Sequence, residues 1–151
     1  MRKASWICLT VAATAFILVS LVSAAHAYNT ADDYGIGGTR LGRVAAGREA
    51  VASGLRGIRG TSAAFASAYG VLYLAIVLVP YRRGEVWAWG ALFAGSLTVL
   101  AITLLRIPFL DTTLGVSGGA TQFGLTMAGL LLDVRRLKGT RASPPPSTPI
   151  A

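Results

Sequence analysis

The sequence predicts an all-α protein, a bundle of four transmembrane helices, or of three if the first is removed as a signal. Four apolar stretches of about twenty residues each carry no charged side chain in their interiors. A helix needs about 20 residues to cross the roughly 30 Å hydrocarbon core of a bilayer, so each stretch is long enough to span it. We place the spans at 5–27, 61–80, 87–106 and 113–133 within one membrane domain, 1–133.

The composition also indicates a membrane protein. Charged residues make up 13% of the 151 residues and hydrophobic residues 54%, whereas soluble proteins average about 25% and 45–50%. The formal net charge is +8, and Lys and Arg collect beside the spans. We therefore expect membrane lipids as partners and no nucleic acid. Cys8 is the only cysteine, which excludes an internal disulfide.

The first span, 5–27, has two interpretations. Arg2 and Lys3 precede an apolar stretch, and Ala25-His26-Ala27 matches a signal-peptide cleavage site. The apolar stretch is longer than the ~7–15 residues of a signal core, which favours a retained helix. Either alternative leaves Tyr28 outside, so the orientation of the later spans is the same.

Residues 28–60 form the predicted outer loop. Asp32-Asp33 before several glycines is typical of a turn. From Leu41 to Ile58, apolar residues recur at helical spacing, which indicates one face of an interfacial helix. The glycines in this stretch each cost about 1 kcal/mol relative to alanine in a helix, which disfavours it.

The remaining spans are separated by short links. Span two ends at Pro80, because proline has no amide hydrogen with which to continue a helix. The link 81–85 is so short that spans two and three should be antiparallel neighbours. Trp87 and Trp89 then mark a membrane interface. The proline-rich tail, 134–151, is predicted to be disordered.

Positive charges predict the orientation. With both termini cytoplasmic, the inner side carries eight Lys and Arg residues and the outer side six. We therefore predict a multi-pass protein of the bacterial inner (plasma) membrane. Small residues recur four apart in span two (Gly60, Ala64, Ala68) and span four (Ala120, Gly124, Ala128). Such rows let helices approach closely, either within this bundle or in a homodimer or larger complex.

The span centres contain no Asp, Glu, Lys, Arg or His, which argues against a proton-coupled transporter. No spacing typical of catalytic or metal-binding residues occurs, so we expect no catalytic residue, metal or cofactor. The candidate outer-face site, with His26 nearby, consists of Arg56, Arg59, Arg106 and Asp111. Either Arg106 and Asp111 pair across a turn while the other arginines hold lipid phosphates, or the group forms a shallow site for an anion or headgroup.

Two short motifs carry a family resemblance. Leu55-Arg56-Gly57-Ile58-Arg59-Gly60 and Arg106-Ile107-Pro108-Phe109-Leu110-Asp111 resemble motifs of small bacterial four-helix membrane proteins of unknown function, which are similar to the DoxX-like group. The resemblance covers roughly 55–132 and implies a four-helix fold. Members of the DoxX-like group are associated with respiratory or redox membrane assemblies.

We therefore expect an accessory or assembly subunit without catalytic activity. The alternative is a redox, lipid- or quinone-handling protein that uses the outer-face arginines. A small transporter is the third hypothesis.

Overall fold

The computed structural model describes residues 2–36, 38–110 and 115–134, and it confirms the all-α class. Among these residues, three helices are long and apolar enough to cross a membrane, by length and composition: Ala4–Tyr28, Glu49–Tyr81 and Val86–Phe109. The predicted tail beyond residue 134 and the predicted site residue Asp111 lie outside the described residues.

The helices follow one another along the chain with short connections. They are α1 (Arg2–Tyr28), α2 (Leu41–Ala45), α3 (Glu49–Ile76), α4 (Val86–Leu104), α5 (Arg106–Leu110) and α6 (Val116–Leu131). A five-residue π-helical segment, Val77–Tyr81, continues α3. The strands β1 (Gly35–Ile36) and β2 (Thr39–Arg40) form a short antiparallel hairpin, with Gly35 opposite Arg40.

The segment predicted as an outer loop, 28–60, is shorter in the structure, because α3 begins at Glu49. Ala46 and Gly47 both have positive φ, 49° and 75°, and this turn separates α2 from α3. The acidic Glu49 stands in the first turn of α3, where a negative charge is favourable to the helix dipole. Contacts of Arg56 and Arg59 with the preceding segment, described below, offset the low helix propensity of Gly54 and Gly57.

Pro80 does not end the second long helix, contrary to the prediction. The chain is π-helical from Val77 to Tyr81, and helical geometry continues through Arg83. A π-turn is wider than an α-turn, so it accommodates the proline ring and the missing amide hydrogen. The helix ends where the amides of Gly84 and Glu85 both donate to the Pro80 carbonyl, at 3.1 Å each.

Helix α1 is the centre of the bundle. It packs along α3 on one side and α6 on the other, and α4 packs mainly against α6. The bodies of α3 and α4 make few contacts, and α4 also meets the π-helical segment. The consecutive helices α3 and α4 are therefore not the main packing neighbours that their short link suggests.

Hydroxyl groups connect the helices inside the bundle. Thr126 of α6 is fully buried, and its Oγ1 lies 2.9 Å from the Tyr73 hydroxyl of α3. Ser96 of α4 donates to the same oxygen at 3.2 Å. At one end of the bundle, Ser5 of α1 bonds both the Tyr81 hydroxyl (2.6 Å) and the Gly129 carbonyl (2.7 Å). Hydrogen bonds of this kind hold helices together where a lipid environment supplies no hydrophobic driving force.

Glycine allows α6 to approach α1 closely. A Cβ added to Gly129 would lie 2.6 Å from Leu9 Cδ2 and 2.7 Å from its Cγ. Leu9 is 0% exposed, so it has no space in which to move aside. The same relation joins α3 to α1, since a Cβ on Gly70 would lie 2.6 Å from Ile17 Cγ1.

The predicted small-residue row of span four does not pack this bundle. Ala120, Gly124 and Ala128 are all exposed, and a Cβ added to Gly124 would meet nothing within 4 Å. The buried face of α6 instead carries Gly119, Gln122, Thr126, Gly129 and Leu130. In span two, Gly60 is buried, whereas Ala64 and Ala68 are exposed.

Substitution of Gly129 by alanine should destabilise the protein. Overpacking against Leu9 costs about 1–3 kcal/mol, which exceeds the gain of about 1 kcal/mol from the higher helix propensity of alanine. We expect a lower Tm for Gly129→Ala in mild detergent. The matched control, Gly124→Ala on the same helix, should leave the Tm unchanged or raise it. Equal Tm values for the two variants would contradict this packing of α1 against α6.

Candidate anion-binding site

The segment 29–48, here called the cap, covers one end of the bundle, where α1 ends and α3 begins. Arg56 of α3 fastens the cap through main-chain oxygens. Its Nη1 donates to the Asn29 carbonyl at 2.6 Å, and its Nη2 donates to the carbonyls of Thr30 (3.1 Å) and Asp32 (2.6 Å). Three carbonyl acceptors fit the planar, many-donor guanidinium group. Arg56 therefore positions the cap.

Asp33 organises the second half of the cap. Its Oδ1 accepts a hydrogen bond from the Gly42 amide at 2.7 Å, near the beginning of α2. Its carbonyl accepts from Arg40 Nη1 at 3.1 Å. Leu41 is 2% exposed and anchors α2, and its amide donates to the Tyr34 carbonyl at 3.0 Å. These bonds hold Arg40 and the following turn beside the end of α1.

Arg59 links the cap to α1. Its Nε donates to Ser23 Oγ at 3.2 Å, and its guanidinium carbon lies 4.1 Å from the centre of the Tyr34 ring. Arg56 approaches the same ring at 5.6 Å. Within the described part of the chain, the Nη atoms of Arg59 make no hydrogen bond, so they retain donors for a ligand.

His26 and Asp32 form a hydrogen-bonded pair beside these arginines. The contact joins His26 Nδ1 to Asp32 Oδ2. The pair is accessible, because the His26 side chain is 51% exposed and that of Asp32 is 28% exposed. The carboxylate of Asp32 is therefore engaged by the imidazole rather than by an arginine.

An open pocket of about 580 Å³ lies between the cap and the end of α1. This pocket is here called the cap pocket. It is lined by His26, Asp32, Asp33, Tyr34, Gly35, Gly38, Thr39, Arg40, Arg43 and Arg59. Two lining hydroxyls, Tyr34 OH and Thr39 Oγ1, are buried and have no hydrogen-bond partner among the described residues. Buried polar groups are normally paired, so two unpaired donors in one pocket indicate a site for acceptor atoms.

The charge distribution in the cap pocket favours an anion. Arg40, Arg43 and Arg59 carry three positive charges, while Asp32 and Asp33 carry two negative ones that already accept hydrogen bonds. Guanidinium groups and hydroxyls together match the oxygens of a phosphate or carboxylate. Among the residues that the structure describes, no group of three or more His, Cys, Asp or Glu side chains could hold a metal ion.

The structure brings together only part of the predicted outer-face site. Arg56 and Arg59 both meet the cap, but only Arg59 lines the cap pocket. Arg106 stands at the same end of the bundle, where its Nη1 lies 3.3 Å from the position of a Cβ on Gly115. It is not among the residues described as lining the cap pocket, and Asp111 lies outside the described residues.

Sequence reasoning did not select Arg40, Arg43, Tyr34 or Thr39. Arg40 is the last residue of β2 and has an extended backbone, whereas Arg43 lies within α2, so helical spacing does not bring the two side chains together. Only the local clustering of arginines is visible in the sequence. The approach of Tyr34 to Arg59 is not, because it depends on the fold of the cap.

Comparison with known proteins identifies no relatives: no protein-family model, no curated protein and no solved structure matches this chain.

Substitution of Arg56 by lysine should loosen the cap without changing the net charge. A lysine ammonium cannot reproduce the planar set of bonds to three carbonyls. We expect backbone amide hydrogen exchange in residues 30–42 to accelerate roughly tenfold, the equivalent of about one lost charged hydrogen bond. The exposed Arg48 offers the matched control, Arg48→Lys, which should exchange at the wild-type rate. An unchanged amide exchange rate in Arg56→Lys would show that Arg56 does not position the cap.

Proposed function

We propose that this chain is a four-span protein of the bacterial inner membrane, with α1, α3, α4 and α6 as its spans. The length and hydropathy of the first three support this assignment. The described part of α6 has 16 residues, about 24 Å at 1.5 Å per residue. Its antiparallel packing against α1 and α4 supports a fourth span, with flanking residues completing the crossing.

We also propose that both termini are cytoplasmic and that the cap faces outward. Arg82 and Arg83 lie at the end of the bundle opposite the cap, which agrees with positive charge on the cytoplasmic side. Retention of α1 is supported by its packing, because Leu9 and Ala13 belong to the hydrophobic core. Cleavage after Ala27 would remove the central helix of the bundle.

This orientation predicts which end an impermeant reagent reaches. In a Cys8→Ala background, Ser53→Cys lies near the cap and Arg83→Cys at the opposite end, and both native side chains are exposed. We expect an impermeant maleimide to label Ser53→Cys in intact spheroplasts and Arg83→Cys only after permeabilisation. The reverse labelling pattern would invert the topology.

We propose that the cap pocket binds a phosphate group. In a membrane, we take this to be the phosphate of an anionic lipid headgroup. The observation that carries this proposal is that three arginines and two residues with unpaired hydroxyls line one open pocket. The pocket adjoins the end of α1, a candidate span. In the proposed topology this end of the helix lies at the level of lipid headgroups. Binding of this kind needs no catalytic residue and suits an accessory or assembly subunit.

The exposed small residues of α6 favour a role within a larger membrane assembly. Ala120, Gly124 and Ala128 leave a flat strip on the outside of the bundle, against which another helix can pack closely. The resemblance to the DoxX-like group, with its respiratory or redox assemblies, is part of the same proposal. The redox, lipid- or quinone-handling protein remains the second candidate function.

The anion site is tested by native mass spectrometry in mild detergent. We expect wild-type protein to retain phosphatidylglycerol, and Arg43→Gln and Arg59→Gln each to weaken binding roughly tenfold through loss of a charged hydrogen bond. Arg83→Gln, which makes the same charge change at the opposite end, is the matched control.

Inorganic phosphate is the second probe in this experiment. Competition by millimolar phosphate would identify a free anion as the ligand, whereas no competition would identify the headgroup within its lipid. Equal phosphatidylglycerol binding by the wild type and the three arginine variants would show that the lipid does not bind in the cap pocket. The same spectra report whether the chain is a monomer, a homodimer or part of a larger complex.

A further inference from the structure

A second cavity lies on the side of the bundle, between α1 and α6. This groove has a volume of about 330 Å³. Ala12, Ala15 and Phe16 of α1 form one wall, and Gly118, Gln122 and Leu125 of α6 form the other. Its volume is within the range of about 300–1,000 Å³ that is usual for small-molecule sites. None of the cap-pocket residues contributes to it.

The groove is at the middle of the first candidate span. Phe16 is the central residue of Ala4–Tyr28, so it lies about 18 Å from either end at 1.5 Å per residue. The hydrocarbon core is about 30 Å thick, so its midplane lies about 15 Å from the level of lipid ester groups. A ligand in the groove is therefore surrounded by hydrocarbon, protein and little water.

Gln122, which lines this groove, carries an unpaired hydrogen-bond donor. Its side chain is only 5% exposed, and its Nε2 has no hydrogen-bond partner among the described residues. The hydrogen bond that Thr126 Oγ1 donates to Gln122 goes to the main-chain carbonyl, at 2.9 Å, and leaves the side-chain amide unaffected. An unpaired amide N–H is costly in hydrocarbon, where water is too scarce to pair with it. An acceptor atom supplied by a ligand would remove that cost.

Phe16 offers a flat surface beside the donor. Its ring packs edge-on against Tyr69, with the ring centres 5.8 Å apart, and this contact fixes its orientation. A planar ring in the groove can pack against Phe16 while a carbonyl oxygen of that ring accepts from Gln122. Gly118 leaves space for such a ring, since a Cβ on Gly118 would meet nothing within 4 Å.

We propose that the α1–α6 groove binds a membrane-soluble carbonyl compound of the quinone class, with Gln122 Nε2 donating to one carbonyl oxygen. The mid-membrane depth excludes the ester carbonyls of phospholipids, which stand at the interface. A quinone with an apolar tail carries its carbonyls on a hydrophobic body and enters the bilayer interior. This inference rests on the second candidate function, a quinone-handling membrane protein, and gives it a site. The groove is separate from the cap pocket, so failure of quinone binding leaves the anion-site proposal intact.

The experiment measures binding of decylubiquinone to the full chain in lipid nanodiscs by titration calorimetry. Gln122→Leu removes the donor and retains an apolar side chain of similar length, so this variant should fold and bind roughly tenfold more weakly. Gly118→Leu fills the groove and should abolish measurable binding. Gly90→Leu, at an exposed position of α4 where an added Cβ would meet nothing within 4 Å, is the control and should bind like wild type.

Three results would overturn the proposal. One is a wild-type protein that does not bind decylubiquinone, and another is an unchanged affinity in Gln122→Leu. The third is a dimeric wild type that becomes monomeric in Gly118→Leu, since a second copy would then fill the groove. Thermal unfolding of each variant verifies the fold, and the carbonyl stretch of bound quinone, measured by infrared spectroscopy, should shift to lower frequency only when Gln122 is present.

Discussion

Polar groups between apolar helices must find partners inside the protein, and this constraint shapes the bundle. Thr126 satisfies it most completely: its hydroxyl contacts Tyr73 of α3 and Ser96 of α4, and donates to the Gln122 carbonyl of its own helix. One buried oxygen thus joins α3, α4 and α6. Because each contact requires a particular rotation of its helix, the cluster also specifies which faces remain outside, including the row with Gly124.

Each of the two proposed sites contains polar groups that have no hydrogen-bond partner among the described residues. In the cap, the Nη atoms of Arg56 donate to main-chain carbonyls, and Arg56 does not line the pocket. Arg59, Arg43 and Tyr34 line it instead. In the groove, a single amide lacks a partner in apolar surroundings. In the proposed topology, the first arrangement suits a charged ligand at the membrane surface, and the second suits an apolar carbonyl compound within the membrane. The two proposed ligands therefore differ in membrane depth.

Hydropathy predicted the three long helices because the length and composition of an apolar segment can be read directly from the sequence. The ends were harder to predict. Pro80 has the usual signature of a helix end, but a local π-helical segment accommodates it. The helix from Glu49 contains glycines that lower its local propensity, yet contacts of Arg56 with the cap hold its first turns. At the glycines, tertiary contacts offset a local preference of about 1 kcal/mol each, whereas at Pro80 a local change of helix geometry offsets a cost of about 3 kcal/mol.

The sequence by itself determined the all-α class, the approximate positions of the three long apolar helices and the end of the bundle at which Arg56, Arg59 and Arg106 lie. Periodicity and charge are local properties, and each can be read along the chain. Tertiary structure decided which of those arginines line a pocket, because that depends on how the cap folds back over α1. It also decided which small residues are buried: Gly129 meets Leu9 while Gly124 faces outward, although both belong to one helix. A row of small residues permits close packing on either side, and only the arrangement of neighbouring helices selects the side.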